Sequence, residues 1–575
     1  MRKVQGIAAS RGIAIAKAYL LTSPILSYTK TTINNVDTEI SRLNKALETT
    51  RSQLERIRQQ TEEKIDKEHA DIFTAHILLL HDNEYIQPII EKIKTEKINA
   101  EAAVFETTSR FIDIFNQIED DYLRERALDI QDISKRLLAN LLGIAIYDLA
   151  NIDEDVVVIA NDLTPSVTAQ LDEKYVKGFV TNVGGQTSHT SLIARSLEIP
   201  AIVGTKEITS IVATNDLLIV DGLEGKVIVN PTEDELAKYR EKQAEFLEKK
   251  KTYIKLRNKT TETVDEKQVM LTANIGTPDD VERVLKNGGE GIGLFRTEFL
   301  YMNNNQIPSE DQQFEAYRSV LEQMEDKPVV VRTLDIGGDK ELSYLPFVKE
   351  MNPFLGVRGI RFCLEHPDVF RPQLRALLRA SIYGNLKIMF PMVTTIEELR
   401  AAKKILAEEK DSLIKSGIDV AENIEIGMMI EVPATALMAK QFAKEVDFFS
   451  IGTNDLTQYI MAADRMNEHI SHLYQPYHPA ILNIINHVIE VAHEEGKSVG
   501  MCGEMAGDPL AIPILLGLGL DEFSMNASSI LVARSQIRKL SYKQITAYKN
   551  DILTMTTSDE VAHFIQENLA ESKFV

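Results

Sequence analysis

From Gln268 onward, short apolar runs alternate with stretches of helical period: VMLTAN, GIGLFR, VVVRTL, LGVRGI, LKIMFP, IGMMIEV, FFSIG and SVGMCG. Eight strand-length runs over about 300 residues predict a closed (β/α)8 barrel, whose chemistry collects at the carboxyl ends of its strands. Upstream the pattern changes. Residues 36–142 contain no glycine and only one proline, Pro88; Val36, Ile40, Leu43, Leu47, Leu54 and Ile57 recur at threes, fours and sevens, the seam of a long helix packed in a hairpin. Strand-like runs flank this stretch: residues 6–9 turning into 12–21 as a strand pair, then 155–160 (DVVVIA), 176–183 and 217–220 (LLIV). An α/β part is therefore expected to be split in sequence by a helical insertion. Residues 231–259 read as a charged helix with Leu236, Tyr239, Phe246 and Tyr253 as a thin apolar seam, which predicts a solvated connector. The expected organisation is an α/β domain from residues 1–22 and 145–230, an all-α insertion at 23–144, a linker helix at 231–260 and the barrel at 261–575.

Residues 181–205, TNVGGQTSHTSLIARSLEIPAIVGT, combine a buried strand, a Gly184-Gly185 turn and a short helix over 191–198 closed by Pro200. The turn delivers His189 to the first turn of that helix. Unpaired N–H groups and partial positive charge at a helix N-terminus attract anions and disfavour an imidazolium, leaving a neutral, nucleophilic ring. The hydroxyls of Thr187, Ser188, Thr190 and Ser191 offer donors for phosphate oxygens around it. Two readings fit this spacing: a phosphohistidine site, or an ordinary N-cap at Thr187 or Ser188 with His189 a bystander. Asp162 and Thr164 sit just past the preceding strand.

In the barrel, polar residues fall where strands end. Arg296 closes the second run, Arg332 the third, Arg358 the fourth and Glu431 the sixth; Asn454 and Asp455 follow the seventh, and Cys502 closes the eighth. Guanidinium forks bind carboxylate and phosphate bidentately, so three arginines at one mouth suit a small, multiply charged anion, a phosphorylated carboxylate. Glu431 and Asp455 suit a Mg2+ that keeps its waters and shares phosphate oxygens. Cys502, in GMCGEMAGD, is either a small apolar filler or a thiol able to move a proton to or from carbon. Cys363 reads as core. His69, His76 and His81 lack a compact partner set for a metal and read as a solvated or partner-facing helical surface.

Charge and composition narrow the class. The chain has 575 residues and a net charge of −22, which opposes binding to a phosphate backbone and favours a basic protein partner; nucleic acid is excluded. Two cysteines cannot form a disulfide framework at this length, which fits a reducing, cytoplasmic compartment. No stretch is apolar enough to span a bilayer, so no membrane insertion is expected.

GGQTSHTSLIARSLEIPAIVGT resembles the phosphohistidine signature of the phosphoenolpyruvate-utilising enzymes, and DFFSIGTNDLTQYIMAADR resembles their second signature. With DYLRERALDIQDISKRLL at 121–138 and GLGLDEFSMNASSI at 517–530, the whole chain resembles the enzyme I family of the bacterial sugar phosphotransferase system. The resemblance implies that phosphoenolpyruvate phosphorylates His189, that Arg296, Arg332, Asn454 and Arg465 hold the substrate, that Glu431 and Asp455 hold Mg2+, and that Cys502 protonates the enol carbon. Arg358 and Asp455 are expected among the substrate contacts as well. It further implies that the α/β part is a phosphohistidine domain, that the helical insertion docks the histidine-containing phosphocarrier protein HPr, and that the barrel binds phosphoenolpyruvate and forms a homodimer. Two positions depart from the family pattern: Gln186, where members carry a basic residue, and Val357, where they carry an aromatic one. A dikinase or phosphoenolpyruvate synthase lacking its nucleotide domain is the alternative, disfavoured because no G-x-x-x-x-G-K-[ST] loop is present. A lyase or kinase acting on pyruvate would leave His189 idle, and a non-catalytic adaptor would leave the barrel mouth idle.

Overall fold

The computed structural model describes residues 2–21, 26–64, 67–116, 121–144, 152, 154–163, 167, 171, 174–185, 191, 194–195, 199–302, 306–338, 342, 344–345, 350–465 and 467–568. The chain forms two compact units, Met1–Lys249 and Lys250–Val575.

The first unit holds an eight-stranded sheet: β1 (Arg2–Gln5), β2 (Ile7–Ser10), β3 (Ile13–Leu20), β4 (Val156–Ala160), β5 (Val176–Thr181), β6 (Ala201–Val203), β7 (Leu217–Asp221) and β8 (Lys226–Val229), in the order β1-β8-β7-β3-β4-β5-β6-β2. Every residue of β4 is buried, because helices and loops cover both faces of its parallel part. Val156, Val158 and Ala160 enter one core while Val157 and Ile159 enter the other, as the two-residue period of a strand requires. The expected strand pair at the N-terminus does not form: β2 pairs with β6 at the sheet edge, whereas β3 pairs with β4 and β7. A glycine between two apolar runs looked like a hairpin turn, but each run finds a longer-range partner.

Between the parallel neighbours β3 and β4 the described residues form five helices: α1 (Val36–Lys64), α2 (Lys67–Leu79), α3 (Asn83–Glu96), α4 (Ala100–Asn116) and α5 (Asp121–Leu142). Leu43, Leu47, Leu54 and Ile57 of the α1 seam are buried against Phe73, Tyr85, Ile89 and Leu137. His76 departs from the expected polar surface; it is buried, with Nε2 3.1 Å from Asp129 Oδ1 on α5. Among the described residues no helix is long and apolar enough to cross a membrane.

Helix α6 (Glu233–Ile254) follows β8. Its first turns are not the solvated connector that its charge suggested: Leu236 and Tyr239 are buried against Ile13, Ile219 and Ile228, and Gln243 Nε2 donates to the Ile13 carbonyl at 2.7 Å.

The second unit is a closed parallel barrel of β9 (Met270–Ile275), β10 (Ile292–Arg296), β11 (Pro328–Arg332), β12 (Asn385–Phe390), β13 (Glu425–Ile430), β14 (Phe448–Ile451), β15 (Ser498–Met501) and β16 (Glu522–Met525). Alternate residues point in and out: Val330 fills the bore with Leu294, Met389, Met429 and Phe448, while Val329 and Val331 pack outward under the helices. Eight strands are present, but not the eight expected. LGVRGI is no strand; it leaves a short 3-10 turn (Pro353–Leu355) and leads through Arg358 into helix α7 (Ile360–Glu365). The place it vacates is taken by β16, which closes the barrel onto β9 with Glu522 opposite Met270.

Candidate functional site at the barrel mouth

Strand ends deliver the side chains. Arg296 and Arg332 are adjacent last residues of β10 and β11, paired in register. Glu431 follows β13, Asn454 and Asp455 open helix α8 (Thr453–Met461) just past β14, and Cys502 follows β15. Gly503 allows the last two segments to meet, since a Cβ there would lie 1.9 Å from Thr453 Oγ1. Asn454 Oδ1 then accepts the Glu504 N–H at 3.1 Å, tying the start of α8 to the chain just beyond Cys502.

The arginines form a cationic pocket. Burial, then the charges of Arg332 and Arg465, hold the Arg296 guanidinium below its ordinary range, although Glu298 and Cys502 oppose this. Positive groups that disfavour one another in a desolvated place are what an incoming anion relieves. Arg332 is buried, with Nη1 3.0 Å from Asp335 Oδ2 and Nη2 on Glu298. Burial alone would lower it, yet the Glu298 and Asp335 carboxylates raise it above its ordinary value. Its buried Nε has no acceptor among the described residues. Arg465 contributes charge to Arg296 and hydrogen-bonds Gln458 Oε1 through its backbone N–H at 3.1 Å.

Glu431 lies inside the mouth, with Oε1 accepting the Met392 N–H at 2.6 Å. Burial, then the Asp455 and Asp335 carboxylates, push it well above the ordinary range, with Arg358 and Arg332 pulling back. Acidic groups held this close, one of them disfavoured as an anion, are relieved by a divalent cation. Among the described residues no three His, Cys, Asp or Glu side chains converge as a protein-only metal cage would. Two carboxylates among arginines nevertheless fit Mg2+, which keeps waters and needs few protein ligands.

Burial pushes the Cys502 thiol up to about 11, against the Ser450 hydroxyl and the arginine charges that favour a thiolate. Near neutral pH it therefore carries its proton. Arg358 is placed differently from its expected role: it reaches the mouth from the segment before α7, and its guanidinium is engaged by Asp335 and Asp455.

Seven of the expected residues, Arg296, Arg332, Arg358, Glu431, Asn454, Asp455 and Cys502, thus gather at one mouth, with Arg465 beside Arg296. His189 lies outside the described residues, as do Gln186, Thr187, Ser188, Thr190 and Thr164. Ser191 is helical and its Oγ donates to the Gly185 carbonyl at 2.7 Å. Sequence reasoning missed Glu298 and Asp335, the buried acids that hold Arg332. The signal was there, an acid within three residues of a strand-end arginine, in RTE and RTLD.

Three family models cover the chain: the PEP-utilising enzyme N-terminal model over residues 5–126, the mobile-domain model over 152–225 and the PEP-binding-domain model over 250–542. The chain belongs to the PEP-utilising enzymes. Within that family it is 58% identical over 569 residues to a phosphoenolpyruvate-protein phosphotransferase of Geobacillus stearothermophilus, covering 99% of this chain and 98% of the relative. It is 56% identical over 567 residues to one of Bacillus subtilis (strain 168), covering 99% and 100%. An NMR structure of the Enzyme I protein nEIt matches 42% of this chain and 99% of that chain at 44% identity, with a TM-score of 0.39.

Proposed function

We propose that this PEP-utilising enzyme is an enzyme I-type phosphotransferase: it takes the phosphoryl group of phosphoenolpyruvate onto His189, releases pyruvate, and passes the group to the histidine of HPr. The observation that carries the reading is the meeting, in one buried mouth, of two strand-end arginines with an acidic pair and a thiol that keeps its proton. Phosphoryl transfer asks mainly for alignment and charge neutralisation. Arg296, Arg332 and Arg465, with Asn454, hold the carboxylate and phosphate of the substrate; the Arg332 Nε–H is one buried donor left for it. Glu431 and Asp455 would hold Mg2+, which when bound offsets phosphate charge. The His189 imidazole attacks phosphorus, an N–P bond forms, and the bond from phosphorus to the enol oxygen breaks, leaving the enolate of pyruvate. Cys502 gives its proton to the enolate carbon, and the resulting thiolate is reprotonated from solvent.

The helical insertion α1–α5 docks HPr, the barrel provides the homodimer contact, and the cytoplasm is the compartment. Intact-mass measurement after mixing the chain with phosphoenolpyruvate and Mg2+, without ATP, tests the reading. One acid-labile, base-stable phosphate per chain is expected, and none on His189→Ala. No phosphate on the parent chain, or undiminished uptake by the variant, overturns it.

A further inference from the structure

Arg332 and Arg358 arrive at the mouth from different segments, yet both end on one carboxylate. Asp335, fully buried, accepts from Arg332 Nη1 at 3.0 Å and from Arg358 Nε and Nη2 at 3.1 Å each. Arg358 continues to Asp455, with Nη1 3.0 Å from Oδ1 and Nη2 3.3 Å from Oδ2, and Nη1 also donates to Tyr459 Oη at 3.4 Å. A guanidinium has five N–H donors. These five contacts use all of them, so Arg358 keeps none for a phosphate oxygen in this arrangement.

The backbone is built for this junction. Gly337 has φ 102°, and a Cβ there would lie 2.4 Å from the Val357 carbonyl. Gly359 has φ 58°, and its N–H donates to the Ile336 carbonyl at 3.1 Å. The segment after β11 and the one before α7 are thereby pressed together, with Asp335 and Arg358 between them.

We infer that Asp335 is a positioning residue: it aims Arg332 at the phosphate and, through Arg358, aims Asp455 at the metal, so that Arg358 is a strut and not a substrate contact. This rests on the function proposed above. The direction of the effect follows from charge. Asp335 shares Arg358 with Asp455; without its negative charge the guanidinium closes on Asp455 and competes with a divalent cation for it, while Arg332 loses one of its two carboxylate anchors.

The test compares the full-length parent chain with Asp335→Asn and Arg358→Lys, using Mn2+ alone as the binding probe, by titration calorimetry. Asp335→Asn is expected to bind Mn2+ about 10-fold more weakly and to lose about 100-fold in kcat/KM for phosphoenolpyruvate, while exchanging phosphate with phosphorylated HPr at the parent rate. Arg358→Lys keeps the charge but loses the fork; it should weaken Mn2+ binding, yet leave KM for phosphoenolpyruvate at saturating Mn2+ within about threefold of the parent. Val320→Ala, a buried change in an outer barrel helix, destabilises the barrel without touching this cluster and should leave Mn2+ affinity unchanged, which separates positioning from general loss of stability. Parent-like Mn2+ affinity in a folded Asp335→Asn chain overturns the inference. So does an Arg358→Lys chain whose KM rises while its Mn2+ affinity holds, since Arg358 would then grip the phosphate itself. If Asp335→Asn does not fold, Arg358→Lys decides alone. Failure of the parent to take phosphate from phosphoenolpyruvate would instead remove the proposed function, and the Mn2+ titrations would still report on Asp335.

Discussion

A thiol that gives a proton to carbon must keep it until the enolate forms, and the surroundings of Cys502 are arranged for that. Burial outweighs the two arginines and holds the thiol up to about 11, above the ordinary cysteine range. The sign is that of a group whose charged form is disfavoured, so the thiolate appears only as pH climbs toward that value. At pH 8 about one chain in a thousand carries it, against about a quarter for a free cysteine. Alkylation by iodoacetamide, followed by mass spectrometry of the Cys502 peptide, should therefore keep rising between pH 9 and 11 instead of levelling off near pH 9, and Cys502→Ser should abolish that phase. A plateau near pH 9 would mean that the arginine charges win and Cys502 is poised as a base. Residues that end apolar runs, such as Arg296, Arg332, Glu431 and Cys502, were legible because position along a strand tells where a side chain emerges. Glu298 and Asp335 were legible only as acids near strand-end arginines, in RTE and RTLD; that Glu298 pairs with Arg332 of the next strand, and that Asp335 is shared with Arg358 from another segment, is set by the fold.

At the scale of elements, the apolar strands were legible and the exceptions share a cause. LGVRGI resembled a strand in apolar content, but Gly356 and Gly359 flank an arginine whose place is set by Asp335. The true closing strand, β16, reads EFSM, and its bore-facing positions are polar because the neighbouring strand β9 offers polar partners. Thr272 Oγ1 donates to Glu522 Oε1 at 2.8 Å, and Ser524 Oγ donates to Asn274 Oδ1 at 2.6 Å. A strand whose inward face is hydrogen-bonded alternates polar with apolar residues, as EFSM does, and so lacks the continuous apolar run by which the other barrel strands were read. Helix α6 shows the opposite failure, because a thin apolar seam suggested solvent exposure, yet a single aromatic can anchor a charged helix. Tyr239 packs on Ile13, Ile219 and Ile228, and Lys242 Nζ lies 2.7 Å from the fully buried Asp221. Tyr239→Ala removes a buried aromatic and should cost the first unit about 3 kcal/mol. Urea unfolding followed separately in the two units should show the midpoint of the first fall and that of the barrel hold. An unchanged first midpoint would return α6 to the status of a solvated connector.

For the whole molecule, the division into Met1–Lys249 and Lys250–Val575 coincides with a division of chemistry. Every side chain proposed to grip phosphoenolpyruvate or Mg2+ lies in the second unit, and His189 and the five-helix insertion lie in the first. The first unit has its own cores: three against its sheet, one of them under α6, and one within the helices. A fragment ending at Lys259 retains all of them together with the whole of α6, and should fold alone. Transfer between two histidines needs only His189 and the docking helices, so this fragment should take phosphate from phosphorylated HPr at a rate close to that of the full chain. It should take none from phosphoenolpyruvate, because Arg296, Arg332, Glu431 and Cys502 are absent from it. Intact-mass analysis reads both reactions. Uptake from phosphoenolpyruvate by the fragment would place the substrate site in the wrong half of the chain, whereas a folded fragment that fails to exchange with HPr would show that docking requires the barrel.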